Sequence, residues 1–174
     1  MLLTGLLPDI TTDPAIETAT DSVEAGRSGT IVAPVGIRPP LLAAVASRAA
    51  TPLVVLTATG RDAESLTNAL ASWIPGVAML PAWETLPHER LSPQVDTMAR
   101  RIAVLRRLVH PITGDDSAGP MSVLVVPIRA FLQPIISGLA DLEPVRVRTG
   151  DILDLTETTN RLAELGYERV DMVE

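Results

Sequence analysis

Short, wholly apolar runs alternate along this chain with stretches of helical periodicity, and no other feature limits the fold as tightly. "LVVL" (53–56) is apolar at every position, as expected of a strand buried on both sides of a parallel sheet. "VAML" (77–80) and "VLVV" (123–126) repeat the pattern, and "TIVAP" (30–34) is a further strand candidate. Pro39 or Pro40 then suits a first helical turn, after which Leu42, Val45, Ala46 and Ala49 share one face. Thr59 and Asp62 resemble a capping box ahead of Ala63, Leu66, Leu70 and Trp73, and Pro75-Gly76 stops that helix. A short helix through Ala130 and Phe131 follows the last strand. This grammar predicts a three-layer α/β domain with a parallel sheet over 30–137.

The two ends read differently. Residues 1–29 hold a short apolar anchor, Leu2 to Leu7, and then the acidic stretch "TTDPAIETATDSVEAGRSG", which predicts a partly mobile, loosely packed lead-in. In 138–174, "PVRVRTGD" alternates like a strand with one wet face. Asp154 and Glu157 suit the cap of a helix carrying Leu155, Leu162 and Leu165, ended by Gly166, and "YERVDMVE" begins another strand. That is the opening of a small, incomplete α+β unit.

The segment "IVAPVGIRPPLLAAV" has the layout of a phosphate-binding loop: strand, glycine turn, helix. Such a loop needs a lysine ammonium for the β- and γ-phosphates and backbone N–H groups that approach them. Here Pro34 precedes a single Gly36, Arg38 stands where Lys-Ser or Lys-Thr belongs, and Pro39-Pro40 remove donors. All fourteen basic residues are Arg, so the chain has no lysine at all. The loop reads as degenerate, and no cofactor is expected in this chain. A small α/β nucleotide-binding NTPase with an atypical phosphate loop is the alternative reading.

Composition removes further classes. Without cysteine there are no disulfides and no cysteine-ligated zinc or iron–sulfur sites. A net charge of −7 argues against a general polyanion binder, and Trp73, Trp83, Phe131 and Tyr167 are too scattered for base stacking. No run approaches the ~18 apolar residues of a membrane span, and no basic n-region follows Met1, so a cytoplasmic protein with no membrane partner is expected. His88 beside Glu89, and His110, lack a second ligand at metal spacing. Asp115-Asp116 follows no apolar strand and reads as a solvated turn, and no serine has a triad partner. Neither a metal site nor a catalytic residue is expected.

The most distinctive stretch is "LPAWETLPHERLSPQVDTMARRIAVLRRL", 80–108. It reads as a strand end, a proline-broken loop and an amphipathic helix with Ser92 at the N-cap and Pro93 at N1. Met98, Ile102, Leu105 and Val109 form the expected apolar stripe. Arg100, Arg101, Arg106 and Arg107 suit either a phosphate-contacting stripe or a solvated face, the better reading, with Arg101 pairing Asp96 or Glu84. Trp83 either covers the sheet edge or presents a contact surface.

The string formed by Trp83, Glu84, Thr85, Leu86, Pro87, Ser92, Pro93, Asp96 and Arg101 closely resembles the N-terminal region of the transcription-repair coupling factor (Mfd) family. "PLVVLTATGRDAESL", "VLVVPIRAFLQP" and "GYERVDMVE" resemble the family's successive strand–helix units, so the likeness covers 30–174. The resemblance implies a segment of an ATP-dependent DNA translocase that displaces stalled RNA polymerase and recruits the excision-repair protein UvrA. It implies a UvrB-like part: a RecA-like layer that has lost its ATPase motifs, followed by the first part of an inserted UvrA-docking domain. ATP and Mg would then belong to a downstream motor, and RNA polymerase and DNA would be met only through downstream regions. Arg161 and Arg169 become candidate partner-binding residues in the incomplete insert. UvrB's long aromatic hairpin has no counterpart, because only "ETLPHERL" separates Trp83 from Ser92.

Overall fold

The computed structural model describes residues 2–85, 94–115, 118–147, 149–165 and 167. The chain divides into two compact units, Met1–Ala140 and Asp141–Glu174.

In the first unit, helices α1 (Leu7–Thr11), α2 (Pro14–Glu24) and α3 (Arg38–Arg48) precede strand β1 (Leu53–Thr57). Helix α4 (Gly60–Leu70), β2 (Val77–Met79), α5 (Val95–Val109), β3 (Val123–Pro127) and α6 (Ile128–Phe131) follow. The three strands pair in parallel in the order β1-β3-β2, with Val123 beside both Leu53 and Val77. Alternate residues of β3 enter opposite cores. Val123 and Val125 pack with Ala43 and Ala46 of α3 and Ala63 and Leu70 of α4. Leu124 and Val126 pack with Val104 and Leu105 of α5. The result is the expected three-layer α/β arrangement, and β3, buried at every position, is its axis.

Local chemistry explains the elements. The Thr59 hydroxyl oxygen accepts from the Asp62 N–H at 3.1 Å and donates to the Asp62 carboxylate at 2.8 Å, which closes the capping box at α4. Gly76 adopts φ 72° where the chain turns into β2. Its carbonyl accepts from the N–H of Ser122 at 2.8 Å, fastening the entries of β2 and β3 together.

Several expectations are corrected. "TIVAP" is not a strand: 30–34 has no regular structure and pairs with no described strand, and Val32 is 96% exposed. An apolar run becomes a strand only where a neighbour takes its N–H and C=O groups. β1 is not buried on both faces either, because it lies at the edge of the described sheet and α5 packs over β2 and β3. Val54 and Leu56 are therefore about half exposed.

The acidic lead-in is helical and docked. Asp13 caps α2 by accepting from the N–H groups of Ala15 and Ile16. Arg48, at the end of α3, donates to Glu24, Asp21 and the Thr20 hydroxyl, all on α2. Helix α3 is consequently covered on two sides, and Leu41, Ala43 and Ala44 are buried besides the expected Val45 and Ala46.

In the second unit Asp154 caps α7 (Leu155–Glu164) by accepting from the N–H of Glu157 at 2.8 Å, as its sequence predicts. "PVRVRTGD" forms no strand among its described residues. Gly166 and all of "YERVDMVE" except Tyr167 lie outside the described residues.

Candidate functional site

Helix α5 turns Thr97, Arg101, Val104 and Leu105 to its buried face, positions spaced by three and four residues. Of the expected stripe, Leu105 is buried and Ile102 half-buried. Met98 and Val109 are exposed, because the true inner face includes an arginine.

Arg101 is fully buried. Its Nη1 donates to the Pro81 carbonyl at 2.6 Å, and the guanidinium carbon sits 4.4 Å from the centre of the Trp83 ring. A cation desolvated against an indole face contributes about 2 kcal/mol. Burial lowers the Arg101 pKa from the ordinary arginine value, yet a guanidinium at that depth keeps its charge.

The loop that presents Trp83 is fastened at its backbone. The Trp83 N–H donates to Oε1 of Gln133 at 2.8 Å, and its carbonyl accepts from Nε2 of the same side chain at 3.3 Å. The Glu84 carbonyl accepts from Nη2 of Arg129 at 3.2 Å. The Glu84 carboxylate accepts from the Thr97 hydroxyl. That bond, then main-chain N–H groups, and lastly the charge of Arg129 hold the Glu84 carboxyl below its usual value against a smaller desolvation effect.

The structure thus gathers Trp83, Glu84 and Arg101 of the sequence string around one point and leaves Asp96 outside. Asp96 pairs Arg100 at 2.9 Å on the exposed side of α5, so Arg101 pairs neither expected acid. Arg107 donates to the Gly119 carbonyl at 2.9 Å, and the four arginines share neither a stripe nor a wholly solvated face. Pro87, Ser92 and Pro93 lie outside the described residues, as do His88 and Glu89; α5 begins at Val95 with Gln94 at its N-cap. The only sequence signal for Thr97 is its place one turn before Arg101 on the same face. Nothing local in the sequence signals Gln133, fifty residues from its partner.

The segment from Pro34 to Pro40 lies elsewhere. Val35–Ile37 is a single 3-10 turn, and Arg38 opens α3 without a side-chain cap. Gly36 has no positive φ, and a Cβ placed on it meets nothing within 4 Å. Gly36 and Arg38 border a cleft of about 960 Å³ whose walls are largely apolar, among them Val35, Leu42, Leu66 and Trp73. A second cleft, about 420 Å³, lies at the carboxyl ends of the strands, where open α/β sheets characteristically bind ligands. Ala58, Met79, Glu84, Thr97 and Arg129 line it. In the second unit Nη2 of Arg161 lies 3.9 Å from the Glu143 carboxylate, both half-exposed, while Arg169 lies outside the described residues. No described helix is long and apolar enough to cross a membrane.

No family model matches the chain. It is, however, 46% identical over 147 residues, 83% of its length, to the transcription-repair-coupling factor of Mycobacterium tuberculosis. The chain belongs to the transcription-repair coupling factor family. The Mycobacterium bovis protein of that name matches equally, and the Escherichia coli one is 27% identical over 135 residues, 76% of the chain. This coupling-factor segment spans about 12% of the length of the mycobacterial relatives and 11% of the Escherichia coli one. Of the string shared with the family, Trp83 stacks on Arg101, and Glu84 is bonded to Thr97 at the cleft beside the carboxyl ends of the strands.

Proposed function

We propose that this chain is the N-terminal, non-catalytic interaction and regulatory segment of a transcription-repair coupling factor. In the whole protein an ATP-dependent motor elsewhere in the sequence moves along DNA and displaces stalled RNA polymerase. This segment takes part in recruiting UvrA for nucleotide excision repair. ATP and Mg serve that motor, and DNA and polymerase are met through other regions.

The observation that supports a non-catalytic role is the geometry at Pro34 to Pro40. Phosphate binding at a helix start uses the N–H groups of its first turn. Pro39 and Pro40 occupy that turn in α3 and have none. Gly36 is in an ordinary turn rather than in the strained, close-approach conformation that a phosphate cradle demands.

UvrA contact is assigned to the unit from 141 to 174, through Arg161 and Arg169. In full-length coupling factor, charge reversal at each position, Arg161→Glu and Arg169→Glu, is expected to weaken UvrA capture at least tenfold without changing ATP turnover. Undiminished capture by the doubly reversed protein would remove UvrA docking from this unit.

A further inference from the structure

We propose that the Nε–Nη2 edge of Arg101 is a seat for a carboxylate, and that the Glu84 side chain, held on Thr97 in this structure, moves onto it. Nη1 is committed to the Pro81 carbonyl and the face of the guanidinium to Trp83. Nε and Nη2 lie side by side along one edge of the plane with parallel N–H bonds, the fork that grips both oxygens of a carboxylate. Both atoms are buried, and neither has an acceptor among the described residues. Folded proteins rarely leave such donors unanswered, least of all on a buried cation.

Glu84 is placed to answer them. Its carboxylate rests on Thr97, four residues before Arg101 on the same face of α5. The backbone of Trp83 and Glu84 is pinned by Gln133 and Arg129, so the transfer we propose is a movement of the Glu84 side chain rather than of the loop. On Thr97 the carboxylate takes only neutral donors, that hydroxyl and main-chain N–H groups, whereas Arg101 offers two charged ones, and bonds to charged donors are roughly twice as strong. Asp96 is already engaged by Arg100. A carboxylate or phosphate from outside would have to displace the groups that keep both nitrogens from solvent.

The two positions differ in consequence. On Thr97, Glu84 forms part of the wall of the 420 Å³ cleft beside Arg100 and Arg129. On Arg101 its negative charge is withdrawn from that wall, which leaves Glu64, Arg129 and the Asp96-paired Arg100 and makes the cleft less negative towards an acidic partner. The seat therefore changes the charge of the cleft wall by one unit.

The test follows the Arg101 Nε–Hε resonance by NMR in the whole chain. A seated Glu84 shields Hε from water, so Glu84→Gln is expected to speed its exchange by about tenfold or more, whereas Thr97→Val leaves it unchanged or slower. A double-mutant cycle of Glu84→Gln with Arg101→Met, read from urea unfolding, is expected to show a coupling of about tenfold in the unfolding constant. Unchanged Hε exchange in Glu84→Gln would overturn the proposal. So would an effect seen with Glu89→Gln in its place, or protection that depends on added inorganic phosphate or acetate.

Discussion

The guanidinium carbon of Arg101 lies 4.4 Å from the centre of the Trp83 indole, and that contact joins the strand-end loop to the core-facing side of α5. Trp83→Ala removes the ring and exposes the cation beneath it. A loss of about 2 kcal/mol is expected from the cation–π contact and the associated packing. Urea unfolding monitored by far-UV circular dichroism measures it; a change under 0.5 kcal/mol would show that the indole only rests on the surface.

The depressed carboxyl of Glu84 gives the same loop a pH dependence. Its unperturbed value is 4.5, and its folded value is lower. A group depressed on folding contributes stability that is fully present above the unfolded pKa and is lost as pH falls through the folded one. The Glu84 contribution is therefore complete at neutral pH and disappears below pH 4.5. Glu84→Gln is expected to flatten that part of the stability profile between pH 5 and 3 while leaving the profile above pH 6 parallel to the parent.

Two glycines should respond oppositely to the same substitution. A Cβ on Gly76 would sit 3.0 Å from the Ser122 nitrogen and 3.1 Å from the Pro120 oxygen, on a backbone at φ 72°. Gly76→Ala is expected to cost about 1–3 kcal/mol. Gly36→Ala meets open space without a positive φ and is expected to be neutral or stabilising by about 0.5 kcal/mol. Thermal unfolding of the pair checks both. A destabilising Gly36→Ala would indicate a loop under a constraint that the structure does not contain.

Arg48 holds α2 on α3 through charged, partly exposed partners, and the apolar burial on α2 is small, Ala19 being its one buried hydrophobic residue. Interactions of this kind weaken with salt. Arg48→Gln, or high salt with the parent, should raise amide exchange in α2 selectively and leave β3 protected. Equal loosening of both would make α2 part of the global folding unit.

Some of this was legible in the sequence and some was not, for physical reasons. The caps at Thr59 and Asp154 and the strands at 53, 77 and 123 depend on neighbours a few residues away, and local pattern shows them. The phase of α5 is only partly visible in the sequence because its buried face contains Arg101, a residue whose burial depends on Trp83 and the Pro81 carbonyl arriving from another element. Helix α2 was missed for a related reason. Its sequence is acidic and poor in large apolar groups, and what docks it is an arginine on another helix. "TIVAP" has strand composition, but composition cannot supply the neighbouring strand that would pair with it.

The central claim, a coupling-factor segment whose turn ahead of α3 does not bind nucleotide phosphates, is tested most directly by calorimetric titration of this chain with Mg-ATP. The expected result is a flat trace up to millimolar nucleotide, unchanged in Arg38→Ala. A micromolar, Mg-dependent isotherm that disappears in Arg38→Ala would contradict it and make Pro34 to Pro40 a working nucleotide site.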